Sequence, residues 1–315
     1  MMLHMTTTTI TITSALILGP LFMTAQQAPE KAIYQLAPPD VRTENPPFYV
    51  PGNVTVRNDL VYSKSGDREV LADLYCPKSG SGPFPAVVYI HGKGLPTKSM
   101  GGTKAAFRRQ AALLAGKGFV GLSIDYRYRN EAHFPGCIYD AKAAVRWLRA
   151  NAKQYRIDPD RIAAVGGSWG GYLVTMLAAT QNLPEFEGDG SNLGFPSSVK
   201  AVVAFNPAAD PLYRVNESKS GRPTFEDFLG ASHREKPELW VKASPTTYFS
   251  KQTVPILFLH GTQDTTAPYA QAQATIEKLL AAGAHAELFP AEGARHGFYH
   301  APPGSRPHCS AWKIF

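Results

Sequence analysis

The residues Gly166-Gly167-Ser168-Trp169-Gly170 are where type and spacing point most directly to chemistry. They follow the strand-like run IAAV and precede GYLVTMLAAT, which has the composition of a buried helix. A strand that turns sharply into a helix forces its corner residue into strained backbone angles, and small neighbours keep the turn free of clashes. Ser168 at such a corner, a nucleophile elbow, is lifted to the end of a sheet beside a helix N-terminus, whose amides favour developing negative charge. The bland alternative is a Gly-rich turn with an incidental Ser; the strand before it and the helix after it argue against that.

A serine hydroxyl is a poor nucleophile until an imidazole takes its proton, and a carboxylate must hold that imidazole in the useful tautomer. In a chain with this elbow the acid is expected after a late strand and the histidine after the last one. Asp264 follows the run PILFL in His260-Gly261-Thr262-Gln263-Asp264, and His296 follows AELFP in Arg295-His296-Gly297. Ser168, Asp264 and His296 are therefore the expected nucleophile, acid and base. Among the nine histidines, His300 is the runner-up base; His285 reads as part of the final strand, and His4, His133, His233 and His308 lack such context. Glu292 is the fallback acid.

Acyl transfer also needs donors for an oxyanion. The Trp169 amide, directly after the nucleophile, is one; the segment His91-Gly92-Lys93-Gly94 after AVVYI is the expected source of the others, the amides of Lys93 and Gly94. Lys93 stands where a middle glycine would leave the backbone freer, and its side chain projects either over the pocket or into solvent. A plain Gly-rich turn is the alternative for HGKG taken alone.

These residues need a scaffold, and the pattern supplies one. Short runs rich in β-branched residues recur at Val70–Tyr75, Ala86–Ile90, Val120–Ile124, Ile162–Val165, Ala201–Phe205, Ile256–Leu259 and Ala286–Phe289. Their length and continuous apolarity suit strands buried on both faces of a parallel sheet. Helices are expected between them at Ala105–Lys117, Tyr139–Tyr155, Gly170–Thr180 and Ala270–Ala282. The alternation is βαβ, hence an α/β fold. The runs flanking SKSGDRE look instead like an antiparallel hairpin leading into the sheet. Two stretches break the rhythm: Asn182–Ser198, and Asp210–Thr253, a charged excursion above the sheet with one apolar patch at Phe225, Phe228 and Leu229.

Composition sets outer bounds. The chain has 315 residues, 44% hydrophobic and 18% charged, enough to bury a large core. Its net charge is +7, but no block of Lys and Arg appears, so nucleic-acid binding has little support. Cys76, Cys137 and Cys309 lie far apart with no CxxC pair, against a zinc site or a disulfide scaffold. Residues 1–25 read as a signal peptide: Ile10–Met23 is apolar but short for a bilayer span, and Thr24-Ala25 suits cleavage, although no Lys or Arg precedes the apolar run. Residues 26–53 read as an extended Pro-rich lead-in, and 54–315 as the folded domain.

On the residues LADLYCP, YIHGKG, SIDYRYRNEAHFPGCIYDAKAAVRWLRANAKQYRIDPDRIAAVGGSWGG, HGTQD and GARHGF, the chain resembles α/β-hydrolases of the esterase and lipase branch. It is most similar to the bifunctional feruloyl and acetyl-xylan esterases (the BD-FAE group) and to hormone-sensitive-lipase-like carboxylesterases, over about Asp59 to His300. The resemblance implies a mostly parallel central sheet flanked by helices, with a small polar lid. It further implies a serine esterase, secreted or periplasmic, acting on small esters or acylated plant polysaccharides. It implies no metal or organic cofactor, no nucleic-acid partner and no membrane attachment after signal cleavage. Asp125, Arg127 and Asp140 would brace the core beside the site.

Two other readings compete. GGSWGGY also resembles prolyl-oligopeptidase-like serine peptidases, but those ordinarily carry a large N-terminal screening domain that a short Pro-rich lead-in cannot build. A non-catalytic binding protein on the same fold would ordinarily have lost one of the three site residues, and all three are present. The mostly polar 210–253 excursion favours short-chain or aryl esters over long lipids. Phe186, Phe195, Tyr213, Phe225 and Phe228 are candidate acyl-pocket residues, though aromatics in such segments more often pack than recognise.

Overall fold

A computed structural model describes residues 48–92, 103–128, 131–208, 210–217 and 222–300. The expected signal peptide, most of the Pro-rich lead-in, Lys93, Gly94 and Cys309 lie outside the described residues.

Eight strands form one sheet in the order β1-β2-β4-β3-β5-β6-β7-β8. They are β1 Val54–Ser65, β2 Arg68–Pro77, β3 Phe84–Ile90, β4 Val120–Ile124, β5 Ile157–Gly167, β6 Val202–Phe205, β7 Ile256–Gly261 and β8 Ala286–Ala291. β1 and β2 form the expected antiparallel hairpin, and β2 runs antiparallel to β4. From β4 to β8 every pairing is parallel. Each expected strand is present; β5 begins five residues early because Ile157 already pairs with Phe84 across a register shift.

The apolar runs are continuous because alternate residues enter different layers. Ala86, Val88 and Ile90 of β3 point into one core with Val202, Ala204, Ile256 and Phe258; Val87 and Tyr89 point into the other with Val165, Val203, Phe205, Leu257 and Leu259. Helix α1, Arg108–Gly116, covers the second face, while α2, Gly136–Ala150, and α3, Trp169–Ala179, cover the first. Two helix boundaries differ from the pattern-based expectation. The first helix opens as a 3₁₀ turn, Lys104–Phe107, and the second ends at Ala150, followed by one further turn, Ala152–Tyr155, before Arg156 adopts a left-handed conformation.

The two irregular stretches are folded. Residues 210–253 contribute α4 Pro211–Glu217, α5 Arg222–Leu229 and α6 Pro237–Ala243. Their Phe225, Phe228, Leu229, Trp240 and Ala243 join the main core, so this segment is a roof with a charged outside and an apolar underside rather than a loose polar flap. Residues 182–198 are clamped to α2. The buried Lys142 and Arg146 both donate to the Glu187 carboxylate, at 2.8 and 2.7 Å, and Ser197 donates to it as well. Arg146 and Arg149 also donate to the Ser191 and Pro196 carbonyls. Among the described residues the last α-helix, α7, is Tyr269–Ala281. Among the described residues no helix is long and apolar enough to cross a membrane.

Candidate active site

β5 runs into α3 through a single residue. Ser168 adopts φ 54° and ψ −114°, which costs a non-glycine residue about 1–3 kcal/mol and is sustained by its surroundings. Its N–H donates to the Phe205 carbonyl and its carbonyl accepts from Ala208, so the end of β6 clasps the corner on both sides. The helix can start so abruptly because Gly170 lies against β3: a Cβ there would sit 2.0 Å from the Ile90 carbonyl oxygen. Gly167 faces the other way, onto the Tyr299 ring.

The acid stands on a tight turn after β7. Oδ1 of Asp264 accepts from the amides of Thr266 and Ala267, at 2.9 and 2.8 Å. That leaves Oδ2 for His296, whose Nδ1 lies 2.7 Å away. The loop after β8 is stitched to the acid turn by the Gln263 amide donating to the Ala294 carbonyl. On the far side of the ring, His296 Nε2 is 2.9 Å from Ser168 Oγ. An imidazole that gives its Nδ1 proton to a carboxylate bond presents a lone pair at Nε2, the acceptor a hydroxyl needs in order to become a nucleophile.

Burial opposes ionisation of Asp264, but hydrogen bonds from His260, His296 and the Ala267 amide outweigh it and hold the carboxyl well below the usual carboxylate range. It is therefore a standing negative charge facing the base.

The Trp169 amide is the first of α3 and so is one of the donors a helix leaves without an internal partner. Its indole is buried under the roof, with ring centres 5.4 Å from Tyr128, 5.2 Å from Tyr172 and Phe225, and 4.7 Å from Phe228. On the β3 side, the Tyr126 hydroxyl donates to the carbonyls of both His91 and Gly92 at 3.1 Å, and the Tyr126 ring stacks on that of His91. This fixes the chain at His91 and Gly92, after which Lys93 and Gly94 follow in the sequence.

The alternative residues bond or pack outside the run from Asp264 through His296 to Ser168. His300 packs its ring on Tyr299, and Glu292 is an exposed residue that accepts from Thr262. His285 is exposed and stands just before β8 rather than within it. Of the candidate acyl-pocket aromatics, Phe186, Phe225 and Phe228 are fully packed into the core, Phe195 is exposed and Tyr213 is half-buried. The bracing residues behave as the resemblance implied: Arg127 makes a forked contact with Asp140, and Asp125 accepts from the Lys104 amide and faces His91. Cys76 and Cys137 carry free thiols. Among the described residues no group of His, Cys, Asp and Glu is placed to hold a metal ion.

Three neighbours of the site were not singled out from sequence. His260 donates from Nε2 to the Ala267 carbonyl and lies 3.5 Å from Asp264 Oδ2, backing the acid turn. Tyr299 fills the space beside Gly167. Asn206, fully buried, brings its amide onto His296. The signal for His260 was its place in HGTQD at the end of β7; Asn206 and Tyr299 carry none beyond following an apolar run and a histidine.

Comparison with known proteins agrees with this architecture. The model of the BD-FAE family matches residues 72–279, more than half of the chain. Esterase LipC of Mycobacterium tuberculosis is 34% identical over 224 residues, 69% of this chain and 53% of LipC. The chain thus spans about half the length of the curated relatives it matches, LipQ of the same organism being the second, at 57%. A truncated carbohydrate esterase from gut microbiota superposes with a TM-score of 0.68 at 28% identity, covering 77% of this chain and 89% of that one. The esterase Est2 of Thermogutta terrifontis with propionate bound gives a TM-score of 0.66 at 30% identity, over 84% and 90% of the two chains.

Proposed function

The chain belongs to the BD-FAE family within the α/β-hydrolases, and from that premise we propose that it is a serine carboxylic ester hydrolase working through an acyl-enzyme. The observation that carries this reading is the unbroken run of hydrogen-bond distances from Asp264 through His296 to Ser168. His296 Nε2 takes the Ser168 proton as Oγ attacks the ester carbonyl, and Asp264 stabilises the imidazolium that forms. The Trp169 amide, with those of Lys93 and Gly94, donates hydrogen bonds to the oxyanion that develops on the carbonyl oxygen. His296 then returns the proton to the departing alcohol. Water, deprotonated by the same imidazole, cleaves the acyl-enzyme and regenerates Ser168.

For the substrate we propose short-chain or aryl esters, with acetyl or feruloyl groups on plant polysaccharide as the natural targets. Support comes from the family, from similarity to a gut carbohydrate esterase, and from similarity to an esterase that holds propionate. Such substrates lie outside the cell, in keeping with export directed by residues 1–25; N-terminal sequencing of protein recovered from the medium or periplasm tests that step.

The decisive experiment is a parallel rate assay on 4-nitrophenyl acetate, methyl ferulate, acetylated xylan and a prolyl-anilide peptide, each repeated with Ser168→Ala. Ester turnover that vanishes in the variant is the expected result. Peptide cleavage alone would move the chain to the peptidase branch, and turnover retained by Ser168→Ala would overturn the mechanism.

A further inference from the structure

The residue after β6, Asn206, is held in an unusual place. It is fully buried, and its φ of 30° lies in the region that only glycine and, among the rest, chiefly Asn and Asp tolerate. Its backbone N–H donates to Leu259 of β7 at 2.8 Å. The residues on either side of Asn206-Pro207 both hold the nucleophile: Phe205 accepts from the Ser168 amide and Ala208 donates to the Ser168 carbonyl. Gln271 of α7 donates to the Pro207 carbonyl, fixing the loop from below. The chain that clasps Ser168 thus presents one side chain, from a strained and fully determined position.

That side chain meets the base. Asn206 Nδ2 is 3.2 Å from His296 Nδ1 and 3.4 Å from Nε2. In the plane of the ring both nitrogens are already engaged, one with Asp264 and the other with Ser168. A group nearly equidistant from both therefore lies over the face of the imidazole. Three contacts then define the ring: a carboxylate at one edge, a hydroxyl at the other, and an amide on its face.

We propose that Asn206 is a positioning residue for the reaction, an amide platform that stops the His296 ring from tilting out of the line between Asp264 and Ser168. The inference rests on the reading of His296 as general base. The charged and titratable groups around His296 are Asp264 on its turn, His260 behind that carboxylate, Ser168 on the elbow and His300 on the following turn, with Arg214 of α4 acting on Asp264 from the roof.

Two substitutions test it without forcing the backbone, since Asp and Gly both accept the left-handed conformation of residue 206. Asn206→Asp places a carboxylate on the ring face, which favours the protonated imidazole; the acidic limb of kcat/KM should move to higher pH by about one unit. Asn206→Gly removes the platform; kcat should fall at least tenfold, in keeping with the penalty for a misplaced catalytic group, while KM stays within twofold. The same limb is read without turnover by following the His296 ring nitrogens by NMR as pH is varied in a Ser168→Ala background, with and without Asn206→Asp. Superimposable titrations, or an unchanged kcat in Asn206→Gly, would overturn the proposal. Retained turnover in Ser168→Ala would instead strike at the esterase mechanism itself, so the two failures are distinguishable.

Discussion

Tyr299 rests where the side chain of residue 167 would be: a Cβ built on Gly167 falls 2.1 Å from the Tyr299 hydroxyl and 2.2 Å from its ring. The tyrosine follows His296 by three residues and is wedged on its other side by Phe107 and Phe205, with ring centres 5.4 and 5.1 Å away. The nucleophile's neighbour and the base's neighbour are thus in direct contact. Gly167→Ala should push the wedge outward, costing about 1–3 kcal/mol in stability and displacing the His296 loop. Denaturant unfolding together with kcat checks it, and adding Tyr299→Leu, which vacates the space, should recover part of both losses.

Asp264→Asn keeps the shape of the acid but reverses the tautomer it selects, and kcat should drop on the order of 10⁴ if the serine-protease precedent transfers. Stability should respond to pH as well. Because the folded-state carboxyl is held below its unfolded value, the stabilisation it gives is complete above about pH 4 and is lost as pH falls further. The melting-temperature gap between the parent and Asp264→Asn should therefore be full at pH 7 and close progressively below pH 4.

Activity should also require His296 unprotonated, because a protonated imidazole cannot take the Ser168 proton. A rate profile for 4-nitrophenyl acetate that is flat between about pH 5 and pH 8 would contradict the general-base role of His296.

Phe228 is buried against Trp169, Tyr172 and Phe134 and ties the roof to the residue after the nucleophile. Phe228→Ala should cost about 3–5 kcal/mol, as deletion of a buried aromatic ring does. The loss falls on the 210–253 segment, so limited proteolysis within that segment should accelerate more than proteolysis elsewhere.

Much of this was readable before any coordinates, for reasons that differ by residue. The strands were legible because β3, β7 and the second half of β5 are largely buried on both faces, which leaves a continuous apolar run as their signature. Ser168, Asp264 and His296 were legible because each lies in the turn or loop after a strand-like run. The apolar patch of the 210–253 excursion was legible at Phe225, Phe228 and Leu229, which all turn inward; that Trp240 and Ala243 join them was not, because they are spaced at helical intervals among charges. Asn206 was invisible for a different reason. Its significance comes from a left-handed backbone and a face-on contact with a residue of another strand's loop, and neither leaves a mark on local composition.

The clamp on residues 182–198 bears on how this protein can change over generations. Arg146 and Arg149 grip that segment by the carbonyls of Ser191 and Pro196, groups every residue possesses, so those holds survive almost any replacement of the side chains between them. Glu187 supplies a carboxylate to two buried cations, Lys142 and Arg146. The tip of the segment is thereby released to drift in sequence, carrying exposed Leu193 and Phe195 with it, while a single carboxylate at its base anchors the whole. New surface can be tried out there as long as that anchor is kept.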